Sequence, residues 1–427
     1  MGVPIIAVTG TKGKTTTVAV IDQILRALDR DVLKVDTTGH YVNGEQRSTA
    51  EDSRRTWRLV PTRSPGRYLW EFHANPQLRR NGVALLECSL GSSNLAGLGY
   101  ERHNIGLFLN VFEDHLGATE RLKTREDIAE AKSFIFRQIT SNDGYAVFNA
   151  DDALVVDMLD KYAVRADTRN RIAVGLTFEH IDLQKHLDDG GKAITTDDRH
   201  RVVLRTADRT VVLADLTKLP WTFDGDFKPS VWNCMFAIAA VCALYDGELP
   251  SNLGQLTEAV RLDPYGGRLT VLKAGNGATI IADYAHEKQS LAEIARLART
   301  RIGANGRVIG VVRMAYDRPD DVFDETGQVI GDEFDKVIVY DKIDGHWRQP
   351  ENYRIMKFRQ VEGRTSQLVY EGVLKTNRDV ERIVREDEAI AKAASVARPE
   401  DVVVAIVNDD IKRSIGFIRE SFKAEFI

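Results

Sequence analysis

With 427 residues, 43% of them hydrophobic and 28% charged, the chain has the make-up of a folded globular protein. At roughly 100–200 residues per domain it suits two or three of them. Its net charge of −5 is spread over 58 basic and 63 acidic residues rather than gathered in a tail, so nothing asks for a nucleic-acid partner. The opening MGVPIIAVTG has no basic leader and only a short apolar run, which excludes a signal peptide or membrane span there and makes a cytoplasmic enzyme the default expectation.

In chain order, residues 5–9 read as a buried strand, 14–28 as a helix and 31–35 as the next strand, a βαβ unit that requires a parallel sheet. Further strands are predicted over 83–87, 105–109 and 145–148, with one helix over 124–138. Turn signals DDGGK and TADRT break 182–219 into short alternating runs, predicted as antiparallel hairpins inserted in the first domain. An apolar helix follows over 231–244. DPYGGR then interrupts both periodicities and sets the expected domain boundary, giving 1–263 and 264–427. Beyond it, strands over 280–283, 308–312, 336–340 and 402–407 alternate with helices. The fold class is α/β: a P-loop ATPase domain with a parallel sheet and a β-hairpin insertion, then a Rossmann-like C-terminal domain. Cys88, Cys234 and Cys242 lie in apolar surroundings without metal spacing, as reduced core residues do.

The first strand runs into GTKGKTTT, residues 10–17, and then into a helix. Glycines allow backbone N–H groups to turn toward phosphates, Lys14 supplies charge to the terminal phosphates, and the Thr15 hydroxyl suits magnesium. The strict Walker pattern would have glycine at Val8, so only its Gly-Lys-Thr half is present. The plain alternative is a Gly/Thr-rich turn capping a helix.

GTKGKTTT resembles the nucleotide loop of the Mur ligase superfamily, and other segments follow in that family's order. LLECSLGSSN sets Glu87 at a strand end, where the resemblance implies a magnesium-holding glutamate. LNVFEDHLG is similar to the segment carrying Asn110, Asp114 and His115, with His115 implied at a second magnesium. AEAKSFIF is similar to the helix whose lysine is often carbamylated, which would make Lys132 a metal-bridging carboxylate. SVWNCMFAIAA resembles the helix start near the adenine, with Ser230 before Asn233 where the family commonly has two asparagines. GGR at 266–268 and DYAH at 283–286 resemble the motifs opening the C-terminal domain, although Glu287 and Lys288 replace the usual Asn-Pro. YDRPDD at 316–321 resembles the family's Asp-Arg turn. The chain as a whole most resembles the carboxy-terminal half of cyanophycin synthetase, and VFEDH is also similar to poly-γ-glutamate ligases. Since it opens just before the first strand, no nucleotide-sugar-binding domain is expected ahead of the loop and no ATP-grasp half, which disfavours a UDP-anchored substrate.

The resemblance implies an ATP-dependent carboxylate–amine ligase working through an acyl-phosphate, with ATP and two magnesium ions as cofactors. It implies nucleotide contacts at Gly10, Thr11, Lys12, Gly13, Lys14, Thr15, Thr16, Asn233, Arg268 and Asp283. Metal contacts fall on Thr15, Glu87, His115 and Lys132, and substrate contacts on His286, Asp317 and Arg318. Taken singly, Glu87 reads as a satisfied strand-end carboxylate, His115 as a core or capping histidine, Lys132 as a solvated lysine, and Asp317–Arg318 as a surface ion pair. Their order along the chain favours the functional reading. Independently of the family, Arg47, Arg54, Arg55, Arg58, Arg63 and Arg67 face only Glu51 and Asp52 in a segment of poor periodicity. Such a basic loop suits an acceptor bearing several carboxylates, Arg54, Arg55 and Arg58 being its centre; a solvated loop is the plain alternative. The expected partners are a small-molecule or peptide carboxylate and an amino-acid amine, with no nucleic acid and no membrane. A P-loop ATPase or nucleotide-binding scaffold without ligase activity is the rival class, and self-association is not legible.

Overall fold

A computed structural model describes residues 3–49, 61–92, 97–113, 121–140, 143–163, 165–247, 249–263, 266, 268–315, 318, 320–342, 363–408 and 410–427. These divide into two compact units, one within 1–113 and 124–262, the other comprising 121–123 and residues from 263 onward. No helix among the described residues is long and apolar enough to cross a membrane.

The first unit is built on an eleven-stranded sheet. Its middle is parallel: β1 (Ile5–Thr9), β2 (Asp31–Asp36), β5 (Gly82–Glu87), β6 (Ile105–Phe108), β7 (Tyr145–Asn149), β8 (Arg171–Val174) and β9 (Lys192–Thr196). Both flanks turn antiparallel, through β3 (Gly39–Val42) and β4 (Glu45–Thr49) on one side and β10 (Arg201–Arg205) and β11 (Thr210–Asp215) on the other. Ile6, Val8, Val83, Leu85 and Leu107 are fully buried, as expected of parallel strands covered on both faces. Helices α1 (Lys14–Ala27) and α4 (Lys228–Leu244) pack into this core; α4 is apolar around its whole circumference and is buried accordingly. Between them in sequence lie α2 (Arg125–Lys132) and α3 (Ala153–Tyr162).

Several expectations change here. Residues 124–138 do not form one helix: α2 stops at Lys132, and a separate turn spans Phe134–Arg137. Ser133 sits at the break, its hydroxyl donating to the Glu130 carbonyl at 2.6 Å in competition with the backbone ladder. The N-terminus of α2 is a capping box between Thr124 and Asp127. The antiparallel strands expected over 182–219 are present, but the segment opens with the helix Leu183–Asp188 and its strands continue the main sheet. The hairpin β3–β4 was not anticipated. It takes Arg47 out of the basic loop and into an edge strand, paired with Glu45 at 3.0 Å. Residues 61–63 and 65–68 form 3-10 turns, while Arg54, Arg55 and Arg58 lie outside the described residues.

The second unit carries a seven-stranded sheet. Five strands are parallel: β16 (Val380–Arg382), β15 (Lys336–Val339), β14 (Val308–Val312), β17 (Val402–Ile406) and β13 (Thr279–Asp283); β12 (Thr270–Lys273) and β18 (Glu425–Phe426) extend it antiparallel. Because the parallel strands end on one edge, the residues after β13, β14 and β17 come together there.

Candidate active site

The loop after β1 is shaped by two glycines and one asparagine. Gly10 (φ 151°) and Gly13 (φ 83°) take conformations that side chains resist, and a Cβ on Gly13 would stand 2.3 Å from Asn233 Oδ1. Asn110, just after β6, accepts the Thr11 and Lys12 N–H groups on Oδ1 at 3.0 and 2.9 Å and donates to the Lys12 carbonyl at 3.2 Å. The Phe112 N–H in turn donates to Thr11 Oγ1 at 3.1 Å. One side chain thus substitutes for secondary structure in holding the turn open. Gly13 is the N-cap of α1, with Lys14, Thr15 and Thr16 in its first turn, where helix dipole and free N–H groups favour an anion.

Glu87 closes β5 beside this turn and is only 2% exposed. Its Oε2 accepts from Thr15 Oγ1 at 3.0 Å and from the Thr37 N–H at 3.3 Å, and its Oε1 accepts from Thr37 Oγ1 at 2.9 Å. Burial pushes its carboxyl above the usual range; the Lys14 charge works against this and the neighbouring Asp36 adds to it. Thr37, missed in sequence, follows β2 and reaches Glu87 only because β2 and β5 pair in parallel.

Lys132 is not a solvated lysine: it is 4% exposed, and its Nζ donates to the Gly10 carbonyl at 3.0 Å. Lys14 Nζ donates to the same carbonyl at 2.9 Å and to that of Thr11 at 3.0 Å. Two lysine nitrogens therefore converge on one backbone oxygen at the loop. Asn233, on α4, accepts from Thr17 Oγ1 at 3.2 Å, which sets it under the loop against Gly13. Ser230 is buried one turn earlier.

Behind Glu87, Cys88 Sγ lies 3.7 Å from Tyr100 Oη, Tyr100 Oη 3.5 Å from His103 Nδ1, and His103 Nε2 2.7 Å from the Ile135 carbonyl. This buried chain links the strand end carrying Glu87 to the turn after Lys132. Burial pushes the Cys88 thiol up to about 12 and lowers His103 to about 4. All three cysteines are free and buried.

Thr15, Glu87 and Thr37 offer hard oxygen donors within hydrogen-bond reach of one another, a set that suits magnesium or manganese better than a soft metal. Among the described residues no group of three or more His, Cys, Asp and Glu gathers as a metal site, so a cation here would rely on hydroxyl and ligand oxygens as well. Asp114 and His115 lie outside the described residues.

The remaining candidates are on the second unit. Asp283 accepts the Leu269 N–H at 2.8 Å and the Ala285 N–H at 2.7 Å. His286 Nδ1 lies 2.9 Å from the Tyr284 carbonyl, and the Arg268 guanidinium stands over the Tyr284 ring. Arg318 is 3% exposed, which removes the surface ion-pair reading for it; Asp317 is outside the described residues. Glu287, in place of the usual asparagine, is buried and caps α5 (Lys288–Arg299), accepting from the Gln289 and Ser290 N–H groups.

The Mur ligase middle domain matches residues 8–188, and the Mur ligase glutamate ligase domain matches residues 267–406. A cyanophycin synthetase of Nostoc sp. is 27% identical over 420 residues, covering 98% of this chain; the chain spans 42% of that relative's length. Mycobacterium tuberculosis folylpolyglutamate synthase, solved with ADP and AMPPCP, superposes with a TM-score of 0.67 at 16% identity, covering 100% of this chain and 92% of that one. The bifunctional folylpolyglutamate synthase/dihydrofolate synthase of Yersinia pestis, solved with AMPPNP and a manganese ion, gives 0.63 at 16% identity, with 97% and 88% covered. A loop held as described, on a fold shared with these enzymes and with both domains matched in order, belongs to one family: the chain is a member of the Mur ligase superfamily.

Proposed function

We propose that the chain is an ATP-dependent ligase joining a carboxylate to an amine through an acyl-phosphate, adding an amino acid to an acidic amino acid or peptide. The observation that carries this is the construction around the Gly10 carbonyl, where the Lys14 and Lys132 nitrogens converge beside the Thr15–Glu87 contact. Two lysine ammonium groups brought to one turn at a helix N-terminus suit a site for a multiply charged anion, and the buried Lys132 is the lysine that carbamylation would turn into a metal-holding carboxylate. Nucleotide complexes of the two folylpolyglutamate synthases agree with ATP as that anion.

The reaction balances simply. A carboxylate oxygen attacks the γ-phosphorus, the bond to the β-phosphate oxygen breaks and ADP leaves. An amine then attacks the acyl carbon, phosphate leaves and the amine proton is lost to solvent. The loop N–H groups and Lys14 position and neutralise the phosphates. Divalent cations, two by this reading, would supply Lewis acidity toward the γ-phosphoryl group, held by Thr15, Glu87, His115 and a carbamylated Lys132. Arg268, Asp283 and Asn233 are assigned to the nucleotide, His286, Asp317 and Arg318 to the amine substrate, and Arg54, Arg55 and Arg58 to the acidic acceptor. Residues 1–263 form the ATP-binding domain by this reading, and 264–427 the ligase domain.

The test is an ADP-release screen of amino acids with short acidic peptides, with mass detection of the amide. Phosphate release should require both carboxylate and amine, and hydroxylamine should trap a hydroxamate. Productive turnover that yields AMP and pyrophosphate overturns the mechanism.

A further inference from the structure

Arg268 is followed by Leu269, a bulky residue at φ 51°, in the left-handed region that such side chains resist. The conformation is held by Asp283, whose two carboxylate oxygens accept the N–H groups of Leu269 and of Ala285, the residue after Tyr284. That arrangement sets the Arg268 guanidinium over the Tyr284 ring, 4.9 Å from its centroid. The ring is itself anchored. Arg313, fully buried, lies over it at 4.6 Å and donates Nε and Nη2 to the Val407 carbonyl at 3.2 and 2.6 Å. His286 meets the ring edge-on at 5.4 Å.

A free arginine side chain has many rotamers, and ordering one on binding costs affinity; a preformed stack avoids that cost. Aromatic faces attract guanidinium groups without spending the hydrogen-bond donors, so a stacked arginine keeps its N–H groups for an anion. Strain at Leu269, two carboxylate contacts and an immobile second cation all act on the placement of one half-buried guanidinium.

We propose that Tyr284 is a positioning residue: its ring, fixed by Arg313, is a cation–π platform that pre-orients Arg268 for the phosphates of the nucleotide. The inference rests on the ligase reading for the role of Arg268. It predicts that residue 284 matters through its π-face rather than its hydroxyl or bulk.

The experiment measures Mg–AMPPNP affinity by calorimetry on the full chain, alongside steady-state kinetics. Tyr284→Phe should bind within about twofold of the parent, whereas Tyr284→Leu should lose roughly three- to thirty-fold, the range of a partly desolvated cation–π contact. The kinetic loss should fall on KM for ATP rather than on kcat. In an Arg268→Ala background, Tyr284→Leu should cost nothing further, because it acts through Arg268. Undiminished affinity in Tyr284→Leu, or an equal loss in the Arg268→Ala background, overturns the proposal. If Tyr284→Leu does not fold, a series of increasingly fluorinated phenylalanines at 284 keeps the shape while draining the ring's charge; affinity that stays flat along it overturns the platform. A parent chain that binds no Mg–AMPPNP refutes the ligase reading itself, and the inference falls with it.

Discussion

Replacing Gly13 by alanine separates the two demands that the loop makes on this position. The residue holds φ 83°, and the left-handed region costs an L-residue roughly 1–2 kcal/mol. The new Cβ would stand 2.3 Å from Asn233 Oδ1, closer than any real contact, so the Asn233 side chain must move. Moving it breaks the 3.2 Å bond from Thr17 Oγ1, at about 1 kcal/mol. Gly13→Ala should therefore destabilise the first unit by about 2–3 kcal/mol, a urea midpoint shift of roughly 1 M at a slope near the top of the range for small proteins. Trp221 in the core of that unit and Trp232 packed against it report its unfolding by fluorescence. In an Asn233→Ala background the clash is gone, and the same substitution should cost only its backbone part, roughly 1–2 kcal/mol. A Gly13→Ala chain that unfolds at the parent's midpoint, or whose cost is undiminished in the Asn233→Ala background, would refute this account of the loop.

His103 is held well below its usual range, at about 4, by burial. The folded pKa lies beneath the unfolded one, so protons bind the unfolded chain preferentially. Its contribution is complete above about pH 6.5 and is lost as pH falls toward 4, up to about 3 kcal/mol. Urea titrations across that window should show the slope, and His103→Gln should flatten it; an unchanged slope in the variant would exclude His103 as its source. Lys132→Ala should abolish turnover while leaving Mg–AMPPNP affinity within a few-fold, and a crystallographic map of the parent chain should show added density on Lys132 Nζ. Most of the activity surviving in that variant would return Lys132 to a structural role. Replacing Arg54, Arg55 and Arg58 together by glutamine should raise KM for the acidic substrate, most steeply at low salt, with little effect on ATP. An unchanged KM at low salt would remove the loop from substrate binding.

The amino-acid sequence by itself was enough for whatever depends on neighbours along the chain. Residues 5–9 form a strand because an unbroken apolar run suits a parallel sheet covered on both faces, and 14–27 a helix because its apolar face repeats at helical spacing after the Gly13 turn. The phosphate loop, the long apolar helix and the alternation of the second sheet were legible for the same reason. The order of motifs also named the superfamily. The hairpin β3–β4 was not legible, since short polar runs such as EQRST become strands only when an existing sheet edge offers them partners. Nor was the break at Ser133, where a hydroxyl competes locally with helical bonding. The site itself belonged to tertiary structure. Asn110 holds a loop about a hundred residues earlier, Lys132 reaches Gly10 across 122 positions and Asn233 reaches Thr17 across 216. Spacing along the chain carries no record of such meetings. Sheet pairing brings these groups together, and burial then decides that Lys132 is an interior group, that the Glu87 carboxyl is pushed above its usual range and that the Cys88 thiol is pushed up to about 12.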